Sequence, residues 1–290
     1  MDATQSFKLK KIRKPVSFYV WSAIIYFLLV ALAVICVIPF LMMLVNATRS
    51  GDEIIKGFTL IPSDQIVHNW KTVFGHFNLF RGMLNSVMIA VPATVLSIYF
   101  STLTAFALAF YKFKGNKVIF MTILIFMMIP GQLSLIGFYQ LCAKLHLIDS
   151  YLPLIVPAVA SPGTVFFLRQ YILASMPPSL LEAARIDGAS ELFSFHRIVF
   201  PIVLPAIATM GIMGFIGNWN SYLLPMILIN TNEKMPLTVM MTTLNASIDI
   251  TKNQGATYLC VAISVVPILL VFFSFSKYII SSVSAGAVKE

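Results

Sequence analysis

The chain has 290 residues, of which 59% are hydrophobic and only 11% are charged, and its formal net charge is +9. Soluble domains carry about 25% charged residues. This composition and a mean hydropathy of +0.89 exclude an ordinary soluble domain and predict an integral membrane protein. The positive charge does not require nucleic acid, because much of it lies in residues 1–14, where a basic tail would contact anionic lipid.

Six uncharged runs are long enough to cross a bilayer, which requires about 20 apolar residues. They occupy residues 15–48, 82–111, 118–143, 150–168, 198–232 and 253–276. The sequence therefore predicts an all-α membrane protein with six transmembrane helices. It consists of a basic tail at 1–14, one membrane domain at 15–282 and a short tail at 283–290.

The distribution of Lys and Arg predicts the orientation. With the N-terminus inside, the four inner segments hold 13 basic residues and the three outer segments hold 7, over similar total lengths. Cytoplasmic loops carry the excess of Lys and Arg. Both termini are therefore expected to be cytoplasmic, as is the loop at 172–199, whereas the loops at 46–81 and 229–255 are expected outside.

The third run contains a predicted helix break at Ile129-Pro130-Gly131. Broken membrane helices either line a cavity or are satisfied by a neighbouring helix, and both interpretations stay open here. In the first case Gln132 and Tyr139 would face the path of a solute.

A polar interval with its own short helix separates the fourth and fifth runs. Pro177 and Pro178 block a helix before it, Ser179 and Glu182 have capping-box spacing, and Gly188 supplies a permissive end. A helix of about two turns is marginal alone. We therefore expect it to dock against another structure.

The fifth run combines closely spaced glycines with a polar end. Gly211, Gly214 and Gly217 would let another helix approach. The polar end comprises Asn218, Trp219, Asn220 and Tyr222. Polar groups in a span often face a water-filled path, but Trp and Tyr are also ordinary at the membrane interface. Two interpretations of this polar end stay open: it lines the path of a solute, or it forms an interface belt and packs against neighbouring helices.

No catalytic or metal site is predicted. The three cysteines, at positions 36, 142 and 260, have no metal-ligand spacing, and the four histidines are scattered. The sequence has no phosphate-binding loop of the GxxxxGK[ST] type, so no ATP site of that type is expected on this chain. We expect no cofactor bound by this chain.

The polar interval also resembles a known signature. Permeases of ABC importers carry Glu-Ala-Ala, three residues, Gly, nine residues, Ile, one residue and Leu-Pro. This chain has Glu182-Ala183-Ala184, then Gly188, Ile198 and Phe200-Pro201, with Phe200 in place of Leu. It is therefore identified as resembling the type I ABC importer permeases.

Further segments resemble the carbohydrate branch of that family, specifically the maltose-type partner with six spans. They are Asn85-Ser86, Ala105-Phe106-Ala107-Leu108-Ala109, Phe113-Lys114-Gly115, Met128-Ile129-Pro130-Gly131-Gln132, Phe166-Phe167-Leu168-Arg169-Gln170, Arg185-Ile186-Asp187-Gly188-Ala189-Ser190, Trp219-Asn220 and Ala285-Gly286-Ala287-Val288-Lys289. The chain ends in Glu290, where relatives usually have Gly.

The resemblance implies a function and an assembly. The short helix would be the coupling helix, with Glu182, Ala183, Ala184, Asp187 and Gly188 contacting a separate ATPase. Two such ATPase subunits would carry ATP and Mg²⁺. A second, different permease chain and an extracytoplasmic solute-binding protein would complete an importer of a sugar or oligosaccharide in the bacterial-type inner membrane.

Other classes of membrane protein would need residues that this sequence lacks. A secondary transporter or channel should carry coupling-ion carboxylates in its spans, and the six runs have none. A membrane enzyme would need a catalytic cluster. An ABC importer permease for another neutral solute remains the alternative, since it would keep the same coupling helix.

Overall fold

The computed structural model describes residues 16–76, 78–247 and 250–287, and the regular elements within these ranges are helices. In chain order they are α1 (Val16–Asn46), α2 (Gly51–Ile55), α3 (Ile66–His76), α4 (Leu79–Phe110), α5 (Asn116–Met128), α6 (Leu135–Lys144), α7 (Leu152–Ile155), α8 (Pro162–Ser175), α9 (Ser179–Ile186), α10 (Glu191–Ser194), α11 (Phe200–Ile202), α12 (Leu204–Trp219), α13 (Leu223–Leu228), α14 (Leu237–Ser247) and α15 (Ile250–Ala287). The predicted tail at 1–14 and residues 288–290 of the predicted tail at 283–290 lie outside the described part.

Four helical segments are long and apolar enough to cross a membrane. They are Ser17–Asn46, Leu79–Phe110, Leu152–Ser175 and Asn253–Tyr278. Two bent pairs, Asn116–Met128 with Gly131–Lys144 and Glu191–Ile202 with Leu204–Trp219, would raise the number to six if each pair is one span. The all-α prediction is confirmed, and the described residues contain between four and six candidate spans.

The break predicted in the third span is present. Helix α5 ends at Met128, Pro130 adopts an extended conformation, and a 3-10 turn over Gly131–Ser134 leads into α6. The two halves meet at 90°. Proline has no backbone N–H and restricts the preceding residue, so the α-helical hydrogen bonds cannot continue through this point.

Helix α4 is the centre of the bundle, packing along its length against α8 and α12, while α15 packs against α12 and α3. Buried side chains form two clusters. The α9-side cluster comprises Ala105, Phe106, Leu108, Val165, Leu168, Ile172, Met176, Leu181, Phe195, Val199, Val203, Ala206 and Ile207. The α3-side cluster comprises Ala47, Val73, Leu79, Ala90, Phe215, Trp219, Leu237, Ala256, Leu259 and Cys260.

Both segments predicted as outer loops contain helices. Residues 46–81 include α2 and α3, and residues 229–255 include α14 and the start of α15. Helix α14 packs against α4 and α15, burying Leu237 and Met240. Within the segment 229–255, α14 thus has an apolar face that the bundle buries, and the outside position of this segment stays a prediction.

Asp149 ties the segment between α13 and α14 to the end of the loop after α6. Its carboxylate accepts hydrogen bonds from the backbone N–H groups of Asn230 and Thr231, at 3.0 and 2.9 Å, and from Lys234 Nζ at 2.8 Å. These donors, with Lys234 first, hold the pKa of Asp149 well below its usual range. The charged carboxylate therefore joins two parts of the chain that are 81 and 82 positions apart.

The glycines of α12 do not produce the close approach that their spacing predicts. A Cβ added at Gly214 would lie 3.7 Å from Thr94 Cγ2, an ordinary contact, and one added at Gly217 would meet nothing within 4 Å. The close approach occurs instead at Gly255 of α15. A Cβ there would lie 1.9 Å from the carbonyl oxygen of Arg49 and 2.4 Å from Asn69 Nδ2.

Gly255→Ala should destabilise the protein, since its methyl group would displace backbone at Arg49 and the buried amide of Asn69, which bonds the carbonyls of Ala47 and Arg49. Overpacking of this kind costs about 1–3 kcal/mol. The measurement is the thermal unfolding midpoint in detergent. Gly137→Ala is the matched control, because nothing lies within 4 Å of its added Cβ. Equal midpoints for the two variants would contradict the prediction.

Candidate functional site

Helix α9 divides into a buried face and an exposed face. Leu181 and Ala184 are only 2% and 7% exposed, and Leu181 belongs to the α9-side cluster. On the other face Glu182 and Ala183 are exposed, and Ile186 is 86% exposed. Helix α9 is therefore held by one face and leaves the other face open to contact.

The start of α9 differs from the predicted capping box. The N-cap position is Pro178, which has no side-chain cap hydrogen bond, and Ser179 is already the first helical residue. The backbone N–H groups of Leu181 and Glu182 bond the carbonyl oxygen of Pro178. The prediction that Ser179 and Glu182 cap each other was wrong, and the Glu182 carboxylate stays exposed in the first turn, where the helix dipole favours negative charge.

The end of α9 follows the prediction. Gly188 has φ +81°, the left-handed conformation that favours glycine. The N–H of Gly188 bonds the carbonyl of Arg185 at 3.1 Å, and the N–H of Ala189 bonds the carbonyl of Ala184 at 2.9 Å. This pair of bonds is a Schellman motif. It closes the helix sharply and turns the chain toward α10.

Ala184 does not share the exposed face with the other predicted coupling residues. Glu182, Ala183, Asp187 and Gly188 are exposed, whereas Ala184 is buried against the chain's own interior. Residues 181 and 184 are one turn apart and so lie on the same face. The small side chain of Ala184 lets α9 lie close to the bundle, and an ATPase contact by this residue stays a prediction.

A three-residue clamp, comprising Tyr111, Arg185 and Glu191, ties α9 to the end of α4. Arg185 Nε donates to Glu191 Oε1 at 2.9 Å, and the Tyr111 hydroxyl donates to Glu191 Oε2. The Arg185 guanidinium lies 5.5 Å from the centre of the Tyr111 ring. Partial burial, and then the Glu191 carboxylate, raise the pKa of Tyr111. Exposed ion pairs contribute at most about 1 kcal/mol, so the clamp mainly orients α9.

Sequence reasoning missed this clamp. The Tyr111 hydroxyl and Glu191 are 80 positions apart, and neither residue belongs to a pattern that links the α4 end to the polar interval. The one available clue was Glu191 six residues after Arg185, which is compatible with a local ion pair but predicts no third partner.

The residues predicted for the solute path occupy two regions. Gln132 and Tyr139 are exposed on the bent third span. The other four lie at the end of α12 and just after it. Helix α6 packs against α13, so the segment after Tyr222 lies beside the bent span. The passage of a solute between these two regions stays a prediction.

The four residues near the end of α12 differ in accessibility. Asn220 is exposed and Tyr222 is half-buried. Asn218 Nδ2 donates to Thr94 Oγ1 at 3.1 Å. Trp219 is 2% exposed, and its Nε1 donates to the carbonyl of Ser264 at 3.1 Å. In this conformation Trp219 packs inside the α3-side cluster and faces neither a path nor a membrane interface.

Within the described ranges, no group of three His, Cys, Asp or Glu side chains is placed to hold a metal ion. Cys142 and Cys260 are buried, as expected of small core side chains, while Cys36 is exposed on α1. An apolar cavity of about 370 Å³ lies between α4, α12 and α15, with Thr94 and Tyr99 among its lining residues. The clearest site on the chain is thus the exposed face of α9.

Comparisons with known proteins agree with this geometry. Residues 97–285 match the family model described as the binding-protein-dependent transport system inner membrane component. The arabinooligosaccharides transport system permease protein AraQ of Halalkalibacterium halodurans is 34% identical over 89% of this chain and 93% of its own. The protein of the same name from Bacillus subtilis is 30% identical over 96% and 99%. The diacetylchitobiose uptake system permease protein NgcG of Streptomyces coelicolor is 31% identical over 92% and 88%.

A solved structure has the same fold. It is a chain of a bacterial ABC transporter involved in the import of the acidic polysaccharide alginate, with a TM-score of 0.76, 22% identity, and coverage of 92% of this chain and 99% of that one. The matched family region contains α9 and every residue of its exposed face. The chain belongs to the family of binding-protein-dependent transport system inner membrane components, and is a multi-pass permease subunit of an ABC importer.

Proposed function

We propose that this permease imports a sugar or oligosaccharide and that the exposed face of α9 couples it to a separate ATPase. The observation that carries the coupling proposal is the two-faced α9, which is anchored by Leu181 and presents Glu182, Ala183 and Ile186 outward. The carbohydrate proposal is supported by the names of similar permeases, which refer to arabinooligosaccharides and diacetylchitobiose.

The proposed assembly contains two permeases, two ATPase subunits that hold ATP and Mg²⁺, and an extracytoplasmic binding protein. This permease would have six spans with both termini cytoplasmic, counting each bent pair as one span. The excess of Lys and Arg on the inner segments supports that orientation. It would contribute no ATP site of its own.

Coupling would proceed through packed side chains. Leu181 lies in the same cluster as Leu168 and Ile172 of α8 and Phe195 after α10. A displacement of α9 by the ATPase would therefore move α8 and the end of α4 with it, because a close-packed interior transmits strain. That motion would alternate access between the two sides of the membrane.

The proposed solute path is uncharged. Asn218, Asn220 and Tyr222 offer neutral hydrogen-bonding groups, as do Gln132 and Tyr139 on the bent span, and Trp219 would support Asn218 and Asn220 from the interior. The six apolar runs contain no Asp, Glu, Lys or Arg. A neutral solute is thus favoured, and a neutral solute other than a sugar is the second candidate.

Two substitutions should distinguish the packing of α9 against its own bundle from its binding to the ATPase. They are Leu181→Ala and Ile186→Ser. Leu181→Ala removes a buried side chain and should cost about 2–5 kcal/mol of stability. Ile186→Ser changes a side chain that is 86% exposed, so the permease should keep its unfolding midpoint and lose affinity for the ATPase about tenfold. The measurements are the midpoint in detergent and ATPase binding in nanodiscs. Unchanged ATPase binding by Ile186→Ser would exclude this face as the docking surface.

Gly188→Ala should weaken ATPase binding more than Gly188→Asn. No atom lies within 4 Å of a Cβ added at Gly188, so the two substitutions differ mainly in backbone preference. The left-handed conformation costs most residues about 1–2 kcal/mol, whereas asparagine visits it more easily. The same nanodisc binding assay tests this order. If Ala and Asn both bind like the wild type, the sharp end of α9 is not needed for docking.

The assembled complex should hydrolyse ATP faster with one class of glycan than without it. The assay reconstitutes the permease with its ATPase and binding protein and tests mono- and oligosaccharides. Asn220→Ala should reduce uptake about tenfold, the equivalent of one lost hydrogen bond of about 1.4 kcal/mol, while the complex stays assembled. Gln170→Ala, an exposed amide on α8, is the control.

The outcomes of that assay distinguish the candidates. A stable complex that no sugar stimulates would favour a non-sugar solute. An Asn220→Ala variant with full uptake would remove this residue from the path. A permease that associates with no ATPase would contradict the coupling proposal itself.

A further inference from the structure

A basic cleft lies at the turn between α4 and α5. Its volume is about 610 Å³, and its lining includes Lys112, Lys114, Lys117 and Arg169. No acidic side chain is among its lining residues in the described part of the chain. Four positive charges around one opening create a strong potential for an anion.

Arg169 forms one wall of the cleft and is held in place. Its Nε donates to the carbonyl oxygen of Leu108 at 3.3 Å, and its guanidinium carbon lies 4.0 Å from the centre of the Phe120 ring. These contacts join α8, α4 and α5. They use Nε and one face of the guanidinium, so the terminal nitrogens keep the fork geometry that suits a phosphate.

The three lysines are exposed and have no carboxylate partner among the described residues. The two ion pairs within those ranges are Arg185 with Glu191 and Lys234 with Asp149. Tyr111 lines the cleft and donates a hydrogen bond to Glu191. The negative charge of Glu191 is already paired with Arg185. The positive charge of the cleft is therefore uncompensated.

The turn itself is ordered before any ligand arrives. Asn116 Nδ2 donates to the carbonyl oxygens of Leu108 and Tyr111, at 3.3 and 2.9 Å. Gly115 takes φ +95° and allows the reversal. Because these bonds fix the backbone that carries the lysines, less ordering entropy is lost when an anion binds.

Apolar side chains flank the basic cleft. Phe113 is 43% exposed, and on the first turn of α5 Val118 and Ile119 are 69% and 46% exposed. A small soluble anion would use only the cations. A molecule with a phosphate and hydrocarbon chains would use the cations and also cover this apolar surface.

We propose that this cleft binds the headgroup of an anionic phospholipid, with the phosphate between Arg169 and the lysines and the acyl chains along α5. A bound lipid would bridge α4, α5 and α8 beside the segment that leads to α9, and it would contact Tyr111 of the clamp. This binding does not depend on the transported solute or on the ATPase contact proposed above.

The test is native mass spectrometry of the purified permease in neutral detergent. The probes are dioctanoyl phosphatidylglycerol, dioctanoyl phosphatidylcholine and inorganic phosphate. We expect the anionic lipid to bind at least tenfold more tightly than the zwitterionic lipid, and inorganic phosphate not to displace it at equal concentration.

Variants locate the site. The double variant Lys114→Gln, Lys117→Gln should weaken binding of the anionic lipid by about fivefold for each lost charge. The control is Lys71→Gln, Lys144→Gln, which removes two exposed charges elsewhere and should leave binding unchanged. Arg169→Lys keeps the charge but loses the fork, and should also weaken binding. Because the lysines are exposed, their variants keep the fold.

Three results would overturn the proposal. Equal binding of the two lipids would show that the phosphate charge is not recognised. Equal losses in the double variant and its control would show general attraction without a site. Displacement of the lipid by inorganic phosphate at equal concentration would assign the cleft to a soluble anion.

Discussion

The buried contact of Leu181 with the α9-side cluster is the interaction on which the position of α9, and so of its proposed docking face, depends. A helix of eight residues is marginal alone. It is held here because Leu181 and Ala184 pack into the bundle while Gly188 ends the helix sharply. This anchoring leaves Glu182, Ala183 and Ile186 exposed on a helix whose position is fixed.

Composition and pattern predicted the fold well. Uncharged runs located the candidate spans, and Pro130-Gly131 located the bend in the third span. Such predictions succeed because each depends on local chemistry: the length of apolar sequence that a bilayer requires, and the missing N–H of proline. Gly188 is a further example, since the end of α9 needs the left-handed conformation that its own residue supplies.

What the sequence could not predict depends on contacts between distant residues. The clamp joins Tyr111 to Glu191, Asp149 joins turns 81 and 82 positions away, and Trp219 finds its acceptor at Ser264. No periodicity encodes such pairs. The capping box failed for a different, local reason: its spacing was correct, but α9 begins one residue earlier than expected, with Pro178 at the N-cap position.

The two core clusters meet across α12 with a cavity between them. Ile207 of the α9-side cluster and Phe215 of the α3-side cluster both line the apolar cavity of about 370 Å³. Side chains that border a void lack contacts on that side, so a small displacement there disturbs little packing. Within each cluster the same displacement would disturb close-packed side chains. Helix α9 is therefore packed into the cluster that holds α8 and the end of α4, whereas the end of α12, where Trp219 is buried, belongs to the other cluster.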